Sequence, residues 1–264
     1  MSWQACYPTA EHRRAAEAIV EHFAAHGPVD AVLLTNSCAR GRATRDSCLD
    51  MAVLVRPEAP PAHRLAVEQA WDAFRDSSPV IRALHGTGLY SAVHLDIIDG
   101  VFVPEECDEA AGPDSFELGI GNLLLYAQPL LQNGDYLEQL KRYWLPYYGD
   151  DLRRQRLDMV RHYCLNNLHH IPVYVARGLY FQSFDRLYNA YREFLQALFI
   201  ARRTYPIAYN KWIREQVEEI LGLPELYAQL PPLFEFQRFE SSVIAKKARR
   251  VEALLETYAP PVEA

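Results

Sequence analysis

Four side chains between residues 36 and 50 have the types and spacing to handle a charged ligand. Asn36-Ser37 makes a small polar turn at the end of an apolar run, Arg40-Gly41 follows, and Asp50 stands at the entrance of a second apolar run, Met51 to Val55. Ten residues separate Ser37 from Cys48, and strand alternation puts Cys48, Asp50 and Ala52 on one face and Leu49, Met51 and Val53 on the other. Further on, alternation in HLDIID sets His94, Asp96 and Ile98 on one face. Carboxylates at strand entrances suit a hard divalent cation, which takes oxygen ligands. Cys48 breaks that pattern, because a thiol is soft and largely protonated near neutral pH. Ser37 read alone is a helix N-cap.

The elements that must carry these residues follow from periodicity. Thr9 to Ala25 is expected to be a helix, with Ala15, Ala16, Ile19, Val20 and Phe23 as its apolar stripe, Thr9 as N-cap and Gly27-Pro28 as its stop. Val29 to Leu34 is a short buried strand, and a second begins near Leu49. Ala62 to Ser77 is amphipathic and helical. Ser91 to Asp99 reads as a third strand, with Val80 to Leu84 as its hairpin partner and Phe116 to Tyr126 as a further strand candidate. From Gly134 the period becomes helical, with helices expected over Asp151–Leu168, Phe184–Arg203, Tyr209–Leu221 and Phe236–Thr257 and a disordered tail from Ala259.

Bulk properties narrow the class. The chain has 264 residues, half of them apolar, so one large or two small domains can bury a core. A formal charge of −7 argues against broad, sequence-independent binding to nucleic acid. Cys6, Cys38, Cys48, Cys107 and Cys164 form no CxxC pair, which fits a reducing compartment. No stretch reaches the roughly 18 apolar residues of a membrane span. A cytoplasmic protein is the expectation.

The stretch Leu33 to Val55 resembles the signature of nucleotidyltransferases of the DNA polymerase β superfamily: Gly-Ser after one strand, about ten residues, then Asp-x-Asp opening the next. Ala39-Arg40-Gly41, Ala43-Thr44, Ser47 and Asp50 fit its bacterial members that modify aminoglycosides and lincosamides. Two positions depart: Asn36 stands for the Gly, and Cys48 for the first Asp. The stretch Ala176 to Ile213 is similar to the C-terminal helical domains of the same enzymes.

The resemblance implies an α+β fold: a nucleotidyltransferase-like mixed-sheet domain over residues 1–145, with helices on one side, and an all-α bundle over residues 146–264. It implies Mg2+, with Mn2+ as an alternative, and ATP or another nucleoside triphosphate, whose nucleoside monophosphate passes to a small-molecule hydroxyl. Asn36, Ser37 and Arg40 would then meet the triphosphate, joined by Lys211 from the bundle. Asp50 and Asp96 would be the metal-binding catalytic carboxylates, with Cys48 at a lost ligand position that Glu117 could complete. Tyr188, Tyr191, Tyr205, Asp185 and Glu193 would suit the acceptor, and the bundle would close the cleft. The rival is a catalytically degenerate nucleotide-binding or regulatory protein. A transferase acting on a tRNA end is a third reading, which the acidic charge opposes. Cys48 as a nucleophile lacks a histidine within the motif to activate it.

Overall fold

A computed structural model describes residues 4–25, 29–105 and 112–261. Gly27-Pro28 and Cys107 lie outside the described residues. The chain separates into two compact units: Met1–Val103 with Gly119–Pro146, and Pro104–Leu118 with Tyr147–Ala264. The first is a mixed β-sheet with flanking helices and the second an all-α bundle.

In the first unit, helix α1 (Ala10–Ala24) starts where the Thr9 hydroxyl accepts from the His12 backbone N–H. Strand β1 (Val29–Leu34) leads into the single-turn helix α2 (Asn36–Ala39), then strand β2 (Leu49–Val55), helix α3 (Pro61–Ser77) and helix α4 (Pro79–His85). Strand β3 (Val93–Ile98), strand β4 (Gln128–Gln132) and helix α6 (Tyr136–Trp144) follow, while helix α5 (Phe116–Ile120) begins in the second unit and ends in the first. The sheet order is β3-β2-β1-β4, with β1 antiparallel to both neighbours and β2 parallel to β3. Ile19 and Phe23 of α1, Val67 and Trp71 of α3, and Ile81 and Leu84 of α4 share a core with Val32, Leu34, Leu49, Met51 and Val53. Ala31, Leu33, Ala52 and Leu54 are buried too, so the central strands are covered on both faces and not on one. Gly100, at φ +72, leaves room that a Cβ would take from Leu140 of α6 and Leu54.

Two strand expectations are corrected. Val80 to Leu84 is helix α4 and not a hairpin arm: Ser78 caps it by accepting from the Ile81 N–H, and Pro79 sits in its first turn, where no N–H is needed. Phe116 to Tyr126 is α5 followed by a π-helical turn (Gly121–Leu125), closed by the Tyr126 N–H on the Gly121 carbonyl. The fourth strand is instead β4, an edge strand, where Pro129 does no harm.

In the second unit, α7 (Asp150–Ala176) and α8 (Tyr180–Ala201) pack together, with short α9 (Pro224–Tyr227) and α10 (Val243–Tyr258) completing the bundle. Helix α7 runs past Leu168 and over Pro172, because Ile171 is held in the core. Of the helix expected over Tyr209 to Leu221, residues 213–220 are helical, the last six of them as a π-helical turn over Glu215–Ile220. The last helix starts seven residues later than the expected Phe236. Nor is the tail loose at Ala259: that residue is fully buried, and its carbonyl accepts from Arg161. Among the described residues no helix is long and apolar enough to cross a membrane.

Candidate metal centre

The polar turn is built onto the entrance of β2. Leu34 pairs with Met51, and beyond the last pair the Thr35 N–H donates to the Asp50 carbonyl at 3.0 Å. The chain then reverses through Asn36 at φ +53, a left-handed conformation that Gly and Asn adopt most readily. The resembled signature has Gly at this position, and the left-handed geometry is one that Asn also tolerates. Ser37 follows, half-buried in α2, and its carbonyl accepts from the Arg42 N–H at 2.8 Å. Arg40 is buried, 4 % exposed, and its N–H closes the turn on the Asn36 carbonyl.

Several contacts fix the loop that delivers Cys48. Fully buried His12 joins the Thr9 hydroxyl through Nδ1 and the Ser47 carbonyl through Nε2, at 2.8 and 2.9 Å. The Asp46 carboxylate accepts from the Leu89 N–H, so it belongs to the loop and does not stand in for Cys48. The Cys38 thiol rests on the Cys48 carbonyl at 3.8 Å, and burial, with Asp50 and Cys48 beside it, pushes it up to about 12.

Parallel pairing of β2 and β3 sets Asp50 directly opposite His94, and Ala52 opposite Asp96. The Cys48 thiol donates to Asp50 Oδ2 at 3.3 Å, while His94 Nδ1 lies 3.3 Å from Asp50 Oδ1. Sγ, a carboxylate oxygen and an imidazole nitrogen thus lie within 4.8 Å of one another, the one group of this kind among the described residues. Asp50 is mostly enclosed, its side chain 13 % exposed, whereas that of His94 is 66 % exposed. Asp96 sits two residues further along the same face, exposed.

The sequence reading therefore missed His94, which no motif placed beside Cys48. Its signal is the HLD alternation, and that signal points at Asp50 only once the parallel register is known. The carboxylate stands between thiol and imidazole, so His94 is not placed to take the thiol proton directly. The set offers three ligand atoms grouped around one carboxylate.

The other expected residues belong to the second unit. Lys211 is exposed and belongs to the second unit. Glu117 is fully buried in that unit and salt-bridged to Arg156 at 2.6 Å, so its carboxylate is already engaged there. Tyr191, Glu193 and Tyr205 are buried in the bundle: Tyr191 packs edge-on to Phe234, Tyr205 against Tyr147, and Glu193 accepts from Asn167. A cavity of about 430 Å3 opens at the far end of β1, lined by Asp30, Arg56, Glu58 and His63. Its buried acid is already used: Asp30 accepts from the Tyr136 and Leu137 N–H groups at the start of α6 and pairs with Arg56. A Cβ on Gly134 would fall 2.0 Å from Asp30 Oδ1, so only glycine fits there.

No protein-family model and no curated protein sequence matches the chain. The site and fold define a two-unit α+β protein with a Cys-Asp-His cluster able to hold a metal ion, in a position like that of a metal-binding motif with one ligand changed.

Proposed function

We propose that this is a nucleotidyltransferase-like protein that binds a nucleoside triphosphate, ATP or another, with a divalent cation at the β1–α2–β2 edge. Where active, it passes the nucleoside monophosphate to a small-molecule hydroxyl. The supporting observation is the turn itself: a left-handed Asn36 and the Ser37 hydroxyl, tied to Asp50 by the Thr35 N–H. Such transfer is mostly positioning and charge neutralisation. In this reading Asn36 and Ser37 face the β- and γ-phosphates, and Arg40 adds positive charge behind them. Asp50 anchors the cation, Mg2+ or Mn2+ when the triphosphate delivers it, and Asp96 is the carboxylate nearest the acceptor. The reading draws on residues of the first unit only.

A second reading is favoured by one observation: the Cys48 thiol donates a hydrogen bond to Asp50 where a second carboxylate would have shared the metal. That protein binds nucleotide without turnover. Calorimetry with ATP and GTP, with Mg2+ or Mn2+, tests both. Binding that weakens in Ser37→Ala and vanishes in Asp50→Asn is expected, and pyrophosphate release separates enzyme from binder. If the wild-type protein binds no triphosphate with either ion, both readings fall.

A further inference from the structure

We propose that Cys48, Asp50 and His94 form a site for Zn2+ or another ion of its class, a resident cofactor distinct from the Mg2+ that accompanies nucleotides. The inference rests on the ligand set alone and stands whether or not nucleotide binds.

Three observations carry it. The first is donor chemistry. Thiolate and imidazole are ligands of zinc and its transition-metal neighbours, whereas Mg2+ demands oxygen and parts reluctantly with water. The second is geometry. Zn–S near 2.3 Å and Zn–N or Zn–O near 2.0–2.1 Å give ligand–ligand edges of about 3.4–3.6 Å around a tetrahedral ion. The Sγ···Oδ2 and Nδ1···Oδ1 separations are each 3.3 Å. They use the two oxygens of one carboxylate, and all three ligand atoms lie within 4.8 Å of one another, so a shared ion would draw the exposed His94 ring in. The third is rigidity. Cys48 and Asp50 lie two apart on one strand, His94 faces Asp50 across a parallel ladder, and His12 pins the residue before Cys48.

Binding replaces one proton by one ion: the Cys48 S–H bond gives its proton to solvent, and thiolate plus carboxylate neutralise the dication. Three protein ligands leave a fourth position for water, the pattern of zinc sites that act on a substrate and not of those that only brace a fold. The exposure of His94 leaves that position reachable.

The test is titration of the metal-stripped full chain with Co2+, read by the thiolate-to-cobalt charge-transfer band in the near ultraviolet. One equivalent should bring the band to its full height. Zn2+ should displace it, and millimolar Mg2+ should not. Cys48→Ser should abolish the band and His94→Gln, which removes a ligand, should weaken Zn2+ binding by at least about 10–100-fold, the loss that outer-shell changes alone produce, while Cys6→Ser, at an exposed cysteine, should leave both unchanged. Far-ultraviolet circular dichroism verifies the fold of each variant. Should Cys48→Ser not fold, Cys48→Asp serves, and it should lose the band while gaining Mg2+ affinity. No band in folded wild type, or a band surviving in Cys48→Ser, overturns the proposal. ATP binding with Mg2+ and no cobalt band would leave the nucleotide reading standing and sink this one. A band without any triphosphate binding would do the reverse.

Discussion

Two carboxylate clusters, one in each unit, show opposite uses of the same chemical group. In the bundle, Asp114 and Glu117 are buried around Arg156, whose guanidinium donates to both at 2.6–2.9 Å. Gln196 donates to both as well, and the Tyr148 hydroxyl donates to Glu117. Burial works against the Arg156 charge, yet the hydrogen bonds and charges of Glu117 and Asp114 more than offset it, so its pKa rises. Burial beside Glu117 pushes the Tyr148 phenol up as well. At the sheet edge, Asp50 has a thiol on one side and a mostly exposed imidazole on the other. The first cluster is closed, its two carboxylates held by one guanidinium, an amide and a phenol. The second has a carboxylate whose neighbours are themselves metal ligands, and it opens to solvent through His94. A buried carboxylate with an arginine is structure, while one between softer donors can receive a cation.

Arg156→Leu should break this contrast most sharply. It leaves two carboxylates buried without their cation, and losing one partner of a buried pair costs about 3–5 kcal/mol. Urea unfolding at neutral pH measures it. Adding Asp114→Asn and Glu117→Gln to Arg156→Leu should recover most of the loss, since the set is then neutral throughout. Asp50→Asn, by comparison, should cost under about 1 kcal/mol, the scale of one partly solvated hydrogen bond. A large loss at Asp50 and a small one at Arg156 would reverse the assignment.

Next in size is Glu193, another buried carboxylate of the bundle but one without a bonded arginine. Burial raises it to about 7, against the lowering pull of its Asn167 hydrogen bonds and of Arg186 and Arg192 nearby. The sign follows. Below its unfolded value of 4.5 the group is protonated in both states. Between there and about 7 the unfolded chain loses the proton first, so stability falls as pH rises through that window. The loss reaches on the order of 2–3 kcal/mol. Glu193→Gln should remove this slope, and denaturant unfolding at pH 5 and pH 8 should show the variant gaining on wild type at the higher pH. Parallel curves at both pH values would mean Glu193 ionises normally.

What the sequence disclosed and what it hid divide along physical lines. The strands β1 and β2 and the turn between them were readable, because two apolar runs bracket Asn36-Ser37 and burial on both faces leaves no alternative period. The helical half was readable from its period, though the expected end at Leu168 fell short of α7, which Ile171 and the packing against α8 carry over Pro172 to Ala176. Phe116 to Tyr126 was misread since a short apolar run with two glycines carries no decisive period. The cue lay just upstream, in Asp114, which accepts from the Phe116 N–H. Strand β4 was missed because five residues including a proline look like loop until the edge position is known. His94 was invisible as a partner of Asp50 because their pairing depends on a register set by a connection of nearly forty residues.

Cys48→Asp tests the open cluster with a smaller effect. Two carboxylates would then share the β2 entrance, and their repulsion should cost about 1 kcal/mol in chelator at low salt, a partly exposed interaction that salt screens. Mg2+ should restore it by binding oxygen ligands on one strand face. Unfolding in chelator and in Mg2+, with calorimetry for the ion and for ATP, supplies the readout. If pyrophosphate release is brisk in wild type and lost in Cys48→Asp, the thiol has a role of its own and not merely the place of a lost carboxylate.

The last comparison concerns the turn that both readings of the site share. Asn36 holds φ +53 at the start of α2, and its carbonyl accepts the Arg40 N–H at 3.2 Å, so the conformation is fixed by the turn and not by the side chain. Asn pays little for the left-handed region, Gly nothing, and a β-branched residue about 1–2 kcal/mol. Asn36→Gly should therefore shift stability by no more than about 0.5 kcal/mol, the lost left-handed strain offset by extra freedom in the unfolded chain. Asn36→Val should lower it by about 1–2 kcal/mol. Thermal unfolding resolves the difference. If backbone N–H groups of this turn cradle phosphates, Asn36→Gly should keep triphosphate binding, and Asn36→Val, by moving Ser37 away from Asp50, should weaken it. Equal binding in all three would take the turn out of the site and leave only the Cys48, Asp50 and His94 cluster to account for what the sheet edge does.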